Sequence, residues 1–467
     1  MRTSALLLLT ALLPGCSIPD PLVERVKAKG ELVVVTRNSP TTYYEDKDTY
    51  KGLEYELVSR FADSLGVKVR WIFPPSLQEI LPMVARGEAD FAAAGLTATK
   101  YRETWVKFTP GYQQITQQLV YRGGSWRPRS IDDMAGKTLE IVAGSNHEDT
   151  LQTLKQKHPA LQWTTQRELD SEELLYLVKE QVIDYTVADS NVLALTRRFY
   201  PILRVAMDLT EPESLAWAFP HAEDQSLFNA ARSFLEETKQ DGTLDQLIER
   251  YYGHVENLGF VDTRTFRRHI AKRLPNYIPY FKEAANDTGI DWQLLAAIGY
   301  QESHWDAKAV SPTGVKGIMM LTQATAKQLR IKNRLDPQQS IRGGARYLRL
   351  MEKKIPERIQ EPDRLWLALA GYNIGFGHLE DARILTQRNG ADPDKWADVK
   401  QYLPLLSQEQ YHSTLKHGYA RGREPVTYVD NIRSYHELLV WENSQRQEPE
   451  KQQALESRIP SIAPAAL

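Results

Sequence analysis

The chain has 467 residues, 42% hydrophobic and 25% charged, which is too long for one ordinary core and favours two or three soluble domains. A net charge of −2 excludes the strongly basic surface of a nucleic-acid binder. The charge is unevenly divided: residues 258–450 carry 28 Lys+Arg against 23 Asp+Glu, a mildly basic half that suits either an anionic polymer or an ordinary solvated surface.

At the start of the chain, Arg2 precedes the apolar run Ala5–Leu13 and then Pro14-Gly15-Cys16. A short positive region, a short apolar run and small residues predict a secretory signal over residues 1–16. The run is too short for a membrane span of ~20 residues. Cys16 is the only cysteine, so no internal disulfide can form. The box Leu13–Cys16 resembles a bacterial lipoprotein acceptor; a plain signal peptide with an incidental cysteine is the alternative. The lipoprotein resemblance implies a chain anchored by lipid on Cys16. Ser17 stands where inner-membrane retention would place Asp, which implies the periplasmic face of the bacterial outer membrane. Residues 17–29 are expected to be a linker.

From Gly30 the pattern alternates: strand ELVVVT, helix YELVSRFADSLG, strand VKVRWIF, helix LQEILPMVARG, strand DFAAAG. It then recurs in KTLEIVAG, HEDTLQTLKQKHP, LQWTT, SEELLYLVKEQ and DYTVAD. Each passage reads β-α-β-α-β, the signature of a mostly parallel sheet. SLAWAF reads as one further strand, and DGTLDQLIERYYG closes the unit. Two such lobes joined by crossing strands imply a ligand cleft at the strands' C-terminal ends. The domain is expected over residues 30–256.

The segments KGLEYELV, GEADFAAAGLTATKYRETWVKFTPGY, AGKTLEIVAGS, VIDYTVADS and DGTLDQLIERYYG resemble the family 3 periplasmic solute-binding proteins. That resemblance implies that Thr97 and Arg102 grip a ligand carboxylate and that Asp189 grips its ammonium group. Ser145, at a predicted helix N-terminus, adds N–H groups that favour an anion. A guanidinium fork for a carboxylate, faced by a carboxylate for an ammonium, is sound chemistry. The alternatives are that Arg102 pairs with Glu103 and that Asp189 caps the helix SNVLALTRRF. The ligand implied is an amino acid or a muropeptide.

After Gly259 helices dominate, and residues 257–445 read as an all-α domain on a short, packed joint. Within it, Asp291 can cap the helix WQLLAAIGYQES. Leu294, Ile298 and Glu302 fall at i, i+4 and i+8, so an acid sits on an apolar stripe. Partial burial and the negative helix end both raise a carboxyl pKa, which suits a general acid. A sideways Glu302 paired with Lys308 or Lys316 fits the periodicity equally well. Residues 446–467 are polar and contain proline, and are expected to be disordered.

The segment QESHWDAKAVSPTGVKGIMMLT, followed by ALAGYNIG and REPVTYVDNI, resembles the soluble lytic transglycosylase family in order and spacing. The family's fold is lysozyme-like, and its sole acid/base matches Glu302. The resemblance further implies sugar or acid contacts for Ser303, Ser311, Tyr372, Asn373 and Tyr428. Met320 stands where that family carries glutamine, Gly371 where it carries alanine, and Pro425 where it carries threonine.

The chemistry implied is non-hydrolytic cleavage of the MurNAc–GlcNAc bond of peptidoglycan, leaving 1,6-anhydro ends, with no metal or organic cofactor. Together the segments imply a lipoprotein-like lytic transglycosylase with a ligand-sensing domain. The alternatives are a solute-binding protein with a non-catalytic peptidoglycan-docking domain, and a muramidase that lets water attack.

Overall fold

The computed structural model describes residues 20–46, 49–254, 260–311 and 314–456; Cys16 and the signal lie outside the described residues. Strand Glu31–Val35 is buried from Leu32 onward, as a valine-rich strand covered on both faces must be. It pairs in parallel with Lys68–Ile72 and with Phe91–Ala92. Ala218–Pro220 returns antiparallel beside Phe91–Ala92, and Val106–Phe108 forms the far edge.

The second lobe repeats this plan with different residues. Leu139–Val142 pairs in parallel with Thr164–Gln166 and Tyr185–Asp189, and Gln117–Arg122 lies antiparallel between Tyr185–Asp189 and Leu203–Asp208. Between the lobes the chain crosses twice, through Gln113–Ile115 and Glu213–Leu215, which pair as a two-stranded ribbon. The predicted strand Ser214–Phe219 is therefore two strands. Its first part belongs to this ribbon and its second to the first lobe's sheet. Phe91 and Phe219 stack at 4.8 Å beneath that sheet, adding about 1 kcal/mol beyond the area they bury.

The helical domain is organised around Trp292–Ser303. Asp291 caps it by accepting from the Gln293 amide, as its sequence predicts. The expected apolar stripe is wider than periodicity suggested, since every residue from Gln293 to Tyr300 is buried. The cause is enclosure: Ile278–Thr288, Pro337–Lys354 and Arg423–Glu456 all pack on this helix. Gly299 permits the closest approach, because a Cβ there would lie 3.1 Å from both Phe281 and Ile318.

The last helix, Arg423–Glu456, continues through residues 446–456, where disorder was expected. Gln, Glu, Lys, Ala and Leu are good helix formers, and the helix runs on through Pro449. Among the described residues no helix is long and apolar enough to cross a membrane.

The two domains meet through ion pairs and hydrogen bonds. Glu249 holds Lys400 and Arg433, and Glu437 holds Arg198 and His254. Phe199 packs against Trp441 at 5.4 Å between ring centres.

Candidate active site

Glu302 lies in the last turn of Trp292–Ser303, half-buried at the end of the enclosed helix. Its Oε1 accepts a hydrogen bond from the Tyr428 hydroxyl at 2.6 Å. Neither Lys308 nor Lys316 contacts it, so the alternative pairing is not made. Burial pushes its carboxyl up to about 7, against the Tyr428 hydrogen bond, which favours the charged form. The acid therefore keeps a proton near neutral pH while one edge remains reachable. Tyr428 itself is buried, and both burial and the nearby Glu302 raise its phenol well above the ordinary value.

A tyrosine wall surrounds this pair. Tyr372 stacks on Tyr428 with ring centres 6.3 Å apart and donates to the Met319 carbonyl at 3.2 Å. Tyr347 meets Tyr372 edge-on at 5.1 Å. The motif reading missed Tyr347. Its one signal is the Gly343-Gly344 pair just before it, where a Cβ on Gly344 would come within 2.5 Å of Met319.

The other predicted residues divide by position. The Ser303 hydroxyl sits between the Gly299 carbonyl at 3.1 Å and the Ile318 carbonyl at 2.9 Å, tying the helix to the following loop. Ser311 braces that loop, its Oγ accepting from the Val315 amide at 3.3 Å. Asn373 is exposed and does not cap its helix, since Gly375, at φ 90°, ends it. Met320 holds a left-handed φ of 42° in the loop beside Gly317. Gly317 is obligatory there, because a Cβ would lie 1.8 Å from the Arg334 carbonyl. Trp305 is fully buried and donates to the Ala296 carbonyl at 2.8 Å, which makes it a fold residue.

In the two-lobed domain, Arg102 is buried and donates to Thr97 O at 3.3 Å in its own lobe and to Gly144 O at 3.1 Å in the other. It therefore bridges the cleft instead of pairing with Glu103. Asp189 occupies the N-cap position of Ser190–Phe199, yet its side chain makes no cap bond. Its carboxylate meets His147 Nε2 at 3.0 Å, a residue not singled out from sequence. Ser145 begins Asn146–Lys155, and its hydroxyl turns back to Val142 O at 2.7 Å. Thr97, Arg102, Ser145 and Asp189 are thus gathered at the lobe interface, all buried. Thr97 Oγ1, Asn146 Nδ2 and His147 Nδ1 have no hydrogen-bond partner there. Among the described residues no cluster of three or more His, Cys, Asp or Glu could hold a metal ion.

Residues 32–254 match the family described as bacterial extracellular solute-binding proteins, family 3, and residues 279–394 match the transglycosylase SLT domain. Among solved structures, a mutant arginine-binding protein from T. maritima aligns with 50% of this chain and 99% of its own, at TM-score 0.45 and 24% identity. A protein of Alkalilimnicola ehrlichii named membrane-bound lytic murein transglycosylase F 1 is 49% identical over 95% of this chain and 91% of its own. A protein of Saccharophagus degradans named membrane-bound lytic murein transglycosylase F is 47% identical over 94% and 87%. On the identity and span of these relatives, the chain belongs to the membrane-bound lytic murein transglycosylase F family.

Proposed function

We propose that the chain is a peptidoglycan lytic transglycosylase in which Glu302 is the single acid/base. The observation that carries this reading is the pairing of a carboxyl raised to about 7 with a phenol on its Oε1, while among the described residues no second carboxylate acts on it. Two-carboxylate glycosidases need that second acid to activate water or to attack the sugar.

Protonated Glu302 gives its proton to the oxygen linking MurNAc to GlcNAc. As that bond breaks, the 6-hydroxyl of the same MurNAc attacks C1. The Glu302 carboxylate takes the hydroxyl proton and is restored. No water is consumed, and an intramolecular hydroxyl has the effective concentration that makes a second carboxylate unnecessary. Tyr428 supports the charged phase of the cycle by donating to Oε1, leaving Oε2 for the proton transfers. Tyr372 and Ser303 hold the wall and the loop, Ser311 braces the loop, and Asn373 offers an exposed amide to the sugar. Product mass tests the reaction class: anhydro ends are one water lighter than the hydrolysed ends of a muramidase.

The two-lobed domain is the sensing part, with Thr97, Arg102, Ser145 and Asp189 around an amino acid or muropeptide. Lipid on Cys16 would anchor the chain to the outer membrane. Metabolic labelling with palmitate, wild type beside Cys16→Ala, tests the anchor.

A further inference from the structure

Glu302 sits at a helix end, where the last carbonyls have no partners within the helix and the final turn frays unless something outside holds it. After Ser303 come His304 at φ 52° and Trp305 at φ 57°, a consecutive pair with left-handed backbone and no glycine. Histidine tolerates that region, but for a residue as bulky as tryptophan it is an outlier. Such outliers persist where the surrounding contacts over-determine them, and they gather at functional sites.

The contacts that do so are visible here. The His304 amide donates to Tyr300 O at 2.8 Å and closes the helix. Trp305 is fully buried, and Phe266 lies against it at 5.7 Å and against Tyr300 at 4.5 Å between ring centres. A further contact reaches the turn from another element: Arg273 Nη1 donates to His304 O at 2.8 Å. Arg273 stands just past the helix Phe260–Lys272, and its own amide is held by His269 O at 2.7 Å, so the guanidinium starts from a fixed base. A cation at a helix C-terminus also suits the negative end of the helix dipole.

This turn sets the surroundings of the acid. The left-handed pair reverses the chain, with the Asp306 amide donating to Ser303 O at 3.0 Å, and the loop then returns to bring Ile318 O onto the Ser303 hydroxyl. Glu302 precedes His304 by two residues, in the same last turn, and its 2.6 Å bond from Tyr428 depends on that turn keeping its pitch. Among the described residues, the titratable groups facing Glu302 are Tyr428 from the last helix and Tyr372 from the helix Asp363–Ile374.

We propose that Arg273 is a positioning residue for the reaction: by holding His304 O it fixes the left-handed turn, and through the turn it fixes the Glu302 carboxyl against the Tyr428 hydroxyl. This rests on the reading of Glu302 as the acid/base and adds a residue to its support.

Initial rates of the full chain on purified peptidoglycan between pH 5 and pH 9 test it, in wild type, Arg273→Met, Arg273→Lys, Tyr428→Phe and the Arg273→Met/Tyr428→Phe double variant. Methionine keeps the apolar stem and removes donor and charge, whereas lysine keeps both. Arg273→Met lowers kcat about tenfold with KM within about twofold, since a small misplacement of the acid is felt in the chemical step. It also moves the alkaline limb upward, because the Tyr428 bond that favours the carboxylate is loosened. Arg273→Lys restores most of kcat and the wild-type limb. In the double variant Arg273→Met adds little to the limb shift of Tyr428→Phe, since both act on one bond. A general loss of stability lowers the active concentration without moving the limb. A limb shift that adds in full to that of Tyr428→Phe overturns the positioning role in favour of a direct effect of charge, and so does an Arg273→Met variant with wild-type kcat and limb. Both of those results leave the acid/base reading standing. A wild type whose rate survives Glu302→Gln overturns that reading and the positioning role with it.

Discussion

Tyr428 donates a hydrogen bond to Glu302 across 126 residues of sequence, joining the last helix to the helix at the centre of the domain. This bond favours the carboxylate, while burial favours the acid, and burial wins. In Tyr428→Phe the opposing influence is gone, so the Glu302 pKa rises above about 7. Activity requires protonated Glu302 at the start of the cycle and therefore declines as pH rises through that pKa. The alkaline limb of the pH–rate profile should move upward in the variant, while kcat falls about tenfold for want of a donor to the carboxylate. Initial rates on purified peptidoglycan between pH 5 and pH 9 check both effects.

A raised carboxyl pKa also fixes the sign of a stability effect. Between about pH 4.5, the ordinary glutamate value, and about pH 7, the folded chain holds a proton on Glu302 that the unfolded chain has released. Stability contributed by this group is therefore full below the lower value and declines as pH rises through the window. Glu302→Gln removes the decline. The variant should gain about 2 kcal/mol over wild type at pH 8 and little at pH 4, as read from denaturant unfolding at the two pH values.

Ser303 stands beside the acid but is bound to backbone on both sides. Its role in this geometry is to pin the loop that carries Met320. Ser303→Ala should lower stability by about 1 kcal/mol, a shift of roughly 2–4 °C in the domain's Tm. Differential scanning calorimetry gives the shift directly.

A continuous run of elements joins the two sites. Asp189 precedes the helix Ser190–Phe199, Arg198 at its end pairs with Glu437, and Glu437 shares a helix with Tyr428. Any action of the lobes on Glu302 has this contiguous path of packed elements available to it. Turnover measured with and without added muropeptides should respond in wild type and respond several-fold less in Glu437→Gln. An undiminished response in the variant would remove this route from the account.

Much of this arrangement is legible in the sequence because it is local. The alternating β-α pattern places both lobes, and the helix Trp292–Ser303 with its Asp291 cap falls where period and capping chemistry put it. Glu302 is visible as an acid on an apolar stripe. What meets only in space leaves no local period. Tyr347 and the His147–Asp189 contact join segments far apart in the chain. Tyr428 is reachable from sequence only through family resemblance. The break within Ser214–Phe219 is not legible, because alternation does not reveal that a chain changes sheets halfway along.

The central claim is that one carboxylate performs the reaction. Mass spectrometry of muropeptides released from purified peptidoglycan, by wild type beside folded Glu302→Gln, tests it most directly. The account predicts 1,6-anhydro products from wild type and none from the variant. Anhydro products from both proteins at comparable rates would contradict it and place the acid/base elsewhere.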